Sequence, residues 1–123
     1  MAISEHQHQV NLIFWARRLA KQYPELDLLF AIPNGGHRHV SVARKLKAEG
    51  VKSGVPDLCL PVARNGFFGL WIEMKGDVGR ISPNQKVWID KLRNEGYRVK
   101  VCFGYHDAAK VIADYLGIDN AKL

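Results

Sequence analysis

Cysteine is nearly absent: Cys59 and Cys102 are the two in 123 residues. Both sit inside apolar, strand-like runs, where a thiol behaves as a small buried hydrophobe rather than as half of a disulfide framework. Long hydrophobic stretches are missing as well. No run approaches the ~20 apolar residues that a membrane span needs. The opening Met-Ala-Ile-Ser-Glu-His-Gln has no basic segment followed by a greasy one, so no signal peptide is read and a reducing compartment is expected. Repeats, low-complexity tracts and linkers are lacking, and the length suits one domain over 1–123. Acids are the scarcer charge, with 12 against 18 lysines and arginines and a net +6. That excess favours a polyanionic partner such as nucleic acid. An apolar content of 47% supplies a core and excludes a disordered chain.

Local patterns alternate between helix and strand. Ser4, with Gln7 three residues on, opens a helix to about Gln22, with Leu12, Ile13, Ala16 and Leu19 as its apolar stripe. A short strand over 28–32 stops at Pro33-Asn34-Gly35-Gly36, a turn signal. Val40 to Glu49 reads as a basic helix closed by Gly50. Asp57–Ala63 and Phe67–Lys75 read as strands joined through Arg64-Asn65-Gly66, a hairpin signal. Ser82-Pro83-Asn84-Gln85 combines an N-cap, a first-turn proline and a capping-box glutamine. That helix runs to about Glu95, with Trp88, Ile89 and Leu92 inward. A strand over 97–103 follows, then a last helix capped by Asp107. The strand-helix-strand step implies a parallel pair and a right-handed crossover. The fold class expected is α/β, a mixed sheet flanked by helices.

The chemistry concentrates at Pro56-Asp57 and Glu73-Met74-Lys75. Phe67 to Ile72 is mostly apolar and reads as a strand buried on both faces. Glu73 and Lys75 follow at its C-terminal end and share one face, since side chains two apart point the same way. An acid and a base at the end of a buried strand are costly unless paired or ligated. Asp57 begins the partner strand, and antiparallel pairing returns it beside Glu73. Two carboxylates beside a lysine suit a hard, oxygen-seeking cation such as magnesium. Read alone, the same three residues also fit a surface aspartate and an edge Glu-Lys pair.

Register decides whether they meet. A strict two-residue Asn65-Gly66 turn makes opposed positions sum to 131, leaving Asp57 opposite Met74 on the wrong face. A sum of 130 sets Asp57 opposite Glu73. An odd-length turn or a bulge, with Gly69 as the candidate position, is therefore expected.

Asp57 followed by Glu73-Met74-Lys75 resembles the PD-(D/E)XK nuclease signature. Ile32-Pro33-Asn34-Gly35-Gly36, Gly54-Val55-Pro56-Asp57-Leu58 and Ser82-Pro83-Asn84-Gln85-Lys86-Val87-Trp88 are similar to the VRR-NUC branch, the virus-type replication-repair nucleases. The likeness extends from Glu5 to Leu116. It implies a restriction-endonuclease-like αβββαβ core. It also implies Mg2+, or Mn2+ as substitute, bound by Asp57, Glu73 and the Met74 backbone carbonyl, with Lys75 as the catalytic lysine. The implied products carry a 5′-phosphate and a 3′-hydroxyl. Stand-alone phage and bacterial members look like homodimeric resolvases of four-way (Holliday) junctions, whereas a eukaryotic fused domain cuts branched or flap DNA. With no appended domain, this chain resembles the stand-alone type. The expectation is thus a structure-specific endonuclease acting on branched DNA as a homodimer. It would work in the cytoplasm of a bacterium or phage-infected cell, without membrane or small-molecule cofactor. A monomeric flap or nicking nuclease, and a catalytically silent nucleic-acid-binding module of this fold, are the alternatives.

Supporting residues carry two readings each. Glu5 is either a further metal-site acid or a favourable charge in a first helical turn; Gln9 fits the bland reading. Gln85 completes the capping box and also matches a family glutamine associated with the active site. Asn34, Gly35, Gly36 and Arg38 form a turn that either contacts phosphate or only turns. Arg44, Lys45, Lys47 and Lys52, against Glu49 alone, offer either a phosphate-contacting surface or a solvated helix face. His6-x-His8 and His37-x-His39 lack a zinc-site context. Trp15, Trp71 and Trp88 are read as core rather than base-stacking residues, and Phe67 and Phe68 as partly exposed residues suited to a dimer contact.

Overall fold

In a computed structural model that describes residues 2–33 and 39–123, four strands form one mixed sheet. The predicted turn residues Asn34, Gly35, Gly36 and Arg38 lie outside the described residues. The helices are α1 (Glu5–Leu19), α2 (Val40–Ala48), α3 (Pro83–Asn94) and α4 (Tyr105–Leu116). The strands are β1 (Phe30–Ala31), β2 (Leu58–Leu60), β3 (Leu70–Lys75) and β4 (Arg98–Phe103), in spatial order β1-β2-β3-β4. β1–β2 and β2–β3 pair antiparallel, and β3–β4 parallel across the α3 crossover. Without α2, the order α1-β1-β2-β3-α3-β4 is the expected αβββαβ core.

Alternation along the strands divides the sheet into two faces. Leu58, Leu60, Leu70, Ile72, Met74 and Cys102 join Leu12, Trp15 and Ala16 of α1 and Ala108, Ile112 and Ala113 of α4 in one buried cluster. Each such leucine or isoleucine taken out of water contributes about 1.5–3 kcal/mol. The odd positions Trp71, Glu73 and Lys75 occupy the other face, the one that α3 covers. Cys59 and Cys102 are free and buried, and burial pushes their thiols up to about 11 and about 12. Among the described residues, no helix is long and apolar enough to cross a membrane.

The hairpin carries the expected register shift, but not at the expected place. Leu58, Cys59 and Leu60 oppose Ile72, Trp71 and Leu70, a sum of 130 at each pair. At the turn, Arg64 opposes Phe67, a sum of 131, across an Asn65-Gly66 pair with positive φ at both residues. Three residues, Pro61 to Ala63, thus face two, Phe68 and Gly69. The extra residue belongs to the first strand, where Val62 N–H bonds back to Leu60 C=O at 2.8 Å in a tight turn about Pro61. Gly69 is instead where β3 crowds its neighbour: a Cβ there would stand 3.2 Å from the Leu60 carbonyl oxygen.

Other departures have local causes. Ser4 accepts from Gln7 N–H, but the Gln7 side chain turns to Asn11, so that capping box is half made. α4 begins at Tyr105 after Gly104, and Asp107 reaches back to the Phe103 N–H rather than capping. In α3 only Ile89 is buried; Trp88 and Leu92 are half-buried.

Candidate active site

The register shift sets up the site. Extending the sum of 130 by one pair brings Asp57 opposite Glu73, and the Asp57 carboxylate accepts the Met74 N–H at 2.7 Å. The Asp57 carbonyl accepts from Ile32 N–H at 2.8 Å, which fastens the residue to the strand on its other side as well. α1 delivers a third acid: one carboxylate oxygen each from Glu5, Asp57 and Glu73 lie within 4.8 Å of one another. Glu5 is exposed, Asp57 half-buried and Glu73 only 1% exposed.

Lys75 and Gln85 complete the cluster from the α3 side. Ser82 and Gln85 form the full capping box predicted for α3. The same glutamine bridges the two charged groups of β3. Its Oε1 accepts from Ser82 N–H at 2.9 Å and from Lys75 Nζ at 3.0 Å, while its Nε2 donates to Glu73 Oε2 at 3.2 Å. Capping and site support therefore coexist in one side chain. Lys75 Nζ stands 3.6 Å from Glu73 Oε2, and both side chains are buried. Gly79 allows the following loop to lie against the Lys75 stem, where a Cβ would approach its Cδ to 2.9 Å.

The electrostatics are unbalanced. Glu73 Oε1 is buried without a hydrogen-bond partner. Burial, then the facing charge of Asp57, then the hydrogen bond that the two carboxyls can share only when one is protonated, push the Glu73 carboxyl up from 4.5 to about 8; Lys75 pulls it down and Glu5 pushes it up further. Three acids against one ammonium, with a buried oxygen left over, is a donor set short of positive charge. The residues present therefore fit a hard divalent cation with oxygen ligands.

Residues 2–105 match the VRR-NUC domain family. The chain belongs to that family. The VRR-NUC domain resembles Fanconi-associated nuclease 1 of Homo sapiens, at 32% identity over 94 residues, 75% of this chain and 9% of that protein. The Fanconi-associated nuclease 1 homolog of Schizosaccharomyces pombe is 33% identical over 79 residues, 63% of this chain and 11% of that protein. The chain thus spans about a tenth of the curated relatives it matches. A solved VRR_NUC domain protein superposes with a TM-score of 0.78 at 29% identity, covering 97% of this chain and 93% of that one.

Arg44 and Lys45 stand exposed on α2, which buries none of its residues, and Lys52 is exposed in the loop after it. They lie outside the acid cluster. His8, which the sequence offers only as half of a zinc pair, is buried at 8% exposed. Its Nδ1 accepts the Tyr105 N–H at 3.1 Å, and its Nε2 lies 3.9 Å from Asp77 Oδ1. His8 follows Glu5 by one helical turn, so this contact ties the acid-bearing end of α1 to the β4–α4 joint. Helical position alone marks it: His8 falls four residues before Leu12, on the buried stripe.

Proposed function

We propose that this VRR-NUC domain is a metal-dependent, structure-specific DNA endonuclease whose 123 residues act as one catalytic unit. The observation that carries the reading is the partnerless buried oxygen of Glu73 within a three-acid cluster beside Lys75. Asp57, Glu73 and the Met74 carbonyl would hold Mg2+, or Mn2+ in its place, with Glu5 as a further acid. A cation held there supplies charge neutralisation at the phosphodiester and acidifies water beside it.

The remaining roles fall to this chain's own groups. Met74 N–H fixes one Asp57 oxygen and so orients that carboxylate. The Lys75 ammonium meets the charge that builds on the attacked phosphate, in a buried setting where electrostatic stabilisation is strongest. Gln85 is a positioning residue: it holds the ammonium and one Glu73 oxygen at fixed separation. Arg44, Lys45 and Lys52, together with Asn34, Gly35, Gly36 and Arg38, would contact the phosphate backbone. Four-way junctions are the proposed substrate and a homodimer the proposed assembly, because two-fold symmetry matches paired cuts on opposite strands. The cytoplasm of a bacterial cell is the proposed setting.

The test is cleavage of a four-way junction, a 5′ flap, a duplex, a single strand and RNA with Mg2+ or Mn2+, alongside a light-scattering mass. Junction cutting by a dimer is expected. Lys75→Ala should lose roughly 10²- to 10³-fold in rate yet still bind the junction. Flap cutting by a monomer would overturn the resolvase assignment. Complete inertness of the wild type with both metals would overturn the enzyme.

A further inference from the structure

A second feature lies between α2 and α3. Between α2, the loop after it and α3 lies a cleft of about 650 Å³, lined among others by Leu46, Lys47, Val51, Lys52, Val87 and Trp88. Its size falls within the roughly 300–1,000 Å³ of small-ligand sites. Among the described residues that line it, none is acidic. Lys47 and Lys52 are exposed, Val87 is 49% exposed and the Trp88 indole is half-buried.

The walls are built into the site already described. Gly54 has φ +90°, and a Cβ on it would meet the Asn84 backbone at 2.7 Å, so the loop sits directly on the first turn of α3. Asn84 Nδ2 donates to Ser53 Oγ at 3.0 Å across that contact. Three residues past Gly54 comes Asp57, and one past Asn84 comes Gln85. Both walls thus run within a few residues into the groups around Glu73 and Lys75.

We propose that this cleft is a subsite for one unpaired nucleotide of the DNA, with its base against the Trp88 indole and its phosphate near Lys47 and Lys52. The inference rests on the nuclease reading and extends it to which part of a branched substrate is gripped. An aromatic platform flanked by cations and free of acids is the chemistry that accepts a flat apolar base on an anionic backbone. An acidic or apolar peptide would engage the lysines or the apolar wall without needing the indole. Because its walls continue along the chain into Asp57 and Gln85, the cleft would set an unpaired nucleotide at a fixed distance from the cut bond.

The experiment reads binding without cleavage, so it is independent of catalysis. The full chain in Ca2+ is titrated with a DNA duplex bearing one unpaired 2-aminopurine and with the fully paired duplex of the same sequence. Tighter binding of the unpaired form by roughly tenfold, with quenching of the 2-aminopurine, is expected. Trp88→Ala should erase that ratio and the quenching, and Trp88→Phe should keep most of both. Should Trp88→Ala unfold, Ala43→Trp, at an exposed position on the cleft wall, should erase the ratio by filling the space. Equal affinity for the two duplexes, or a ratio untouched by these changes, overturns the proposal. So does a change in light-scattering mass on Ala43→Trp with the ratio intact, which would assign the cleft to a second copy of the chain. If the duplexes distinguish nothing while the metal-dependent cleavage panel succeeds, the subsite alone falls.

Discussion

Glu73 is the residue on which stability and proposed activity pull in opposite directions. Its carboxyl is raised from 4.5 to about 8, chiefly by burial. A raised acid binds its proton more tightly folded than unfolded, so it favours the metal-free fold fully below about pH 4.5. That contribution is lost as pH climbs through 8. A cation must displace the same proton, so metal affinity should rise with pH, by up to about tenfold per unit, and level off above 8. A thermal melt with and without Mn2+ checks this: the metal-induced rise in Tm should be larger at pH 8 than at pH 6. Glu73→Gln should abolish the metal-induced rise. At pH 8 it should also increase the metal-free Tm by a few degrees, since it removes a buried charge that lacks a full set of partners. A lower metal-free Tm for this variant would contradict the account. That Glu73 and Lys75 share one face at the end of a buried strand was legible from alternation and strand burial because both rules are local; placing Asp57 beside them needed the register of the hairpin as well. The buried role of His8 was not read, because its spacing to His6 drew attention to ligation rather than to the stripe it shares with Leu12.

Among the elements, α3 and the β2–β3 hairpin do the positioning, and they were legible to different degrees. Ser82 and Gln85 announce the α3 start by chemistry that a sequence displays directly. The hairpin could be read to the level of arithmetic: a shift of one residue was required for Asp57 to face Glu73. Its location was not read, because Gly69 offered a ready bulge position while the turn is made about Pro61, where Val62 N–H bonds back to Leu60 C=O. α2 was recognisable as a basic helix, but its separation from α3, and so the cleft and the half-open setting of Trp88, follows from how the 50–54 loop docks on Asn84. Gly54 is the test of that docking. Gly54→Ala adds a Cβ into backbone at 2.7 Å while forcing a side chain to φ +90°. It should cost about 2 kcal/mol or more, seen as a Tm lowered by roughly 5–10 °C. An unchanged Tm would mean that the loop does not rest on α3 in solution.

Across the whole molecule, charge is locally concentrated: Arg44, Lys45, Lys47 and Lys52 ride on an outer helix and loop, while three of the twelve acids, Glu5, Asp57 and Glu73, meet in the cluster. The proposed DNA contacts are therefore mainly to phosphates, and affinity should fall steeply with salt. Plotted as log affinity against log salt, Lys45→Ala should flatten the slope by about one, measured with the uncleaved junction in Ca2+. A slope unchanged by that substitution would remove α2 from the DNA-binding surface.

The surplus residue between Pro61 and Ala63 behaves like a phase shifter on a two-beat rhythm. Remove it, and the turn and β2 can be in step only if Leu58 and Leu60 trade faces with Cys59, rotating Asp57 away from its partners. Loop length in that stretch is therefore free to drift by twos but not by ones, and a single deletion would break up the acid cluster from a distance without touching any of its side chains.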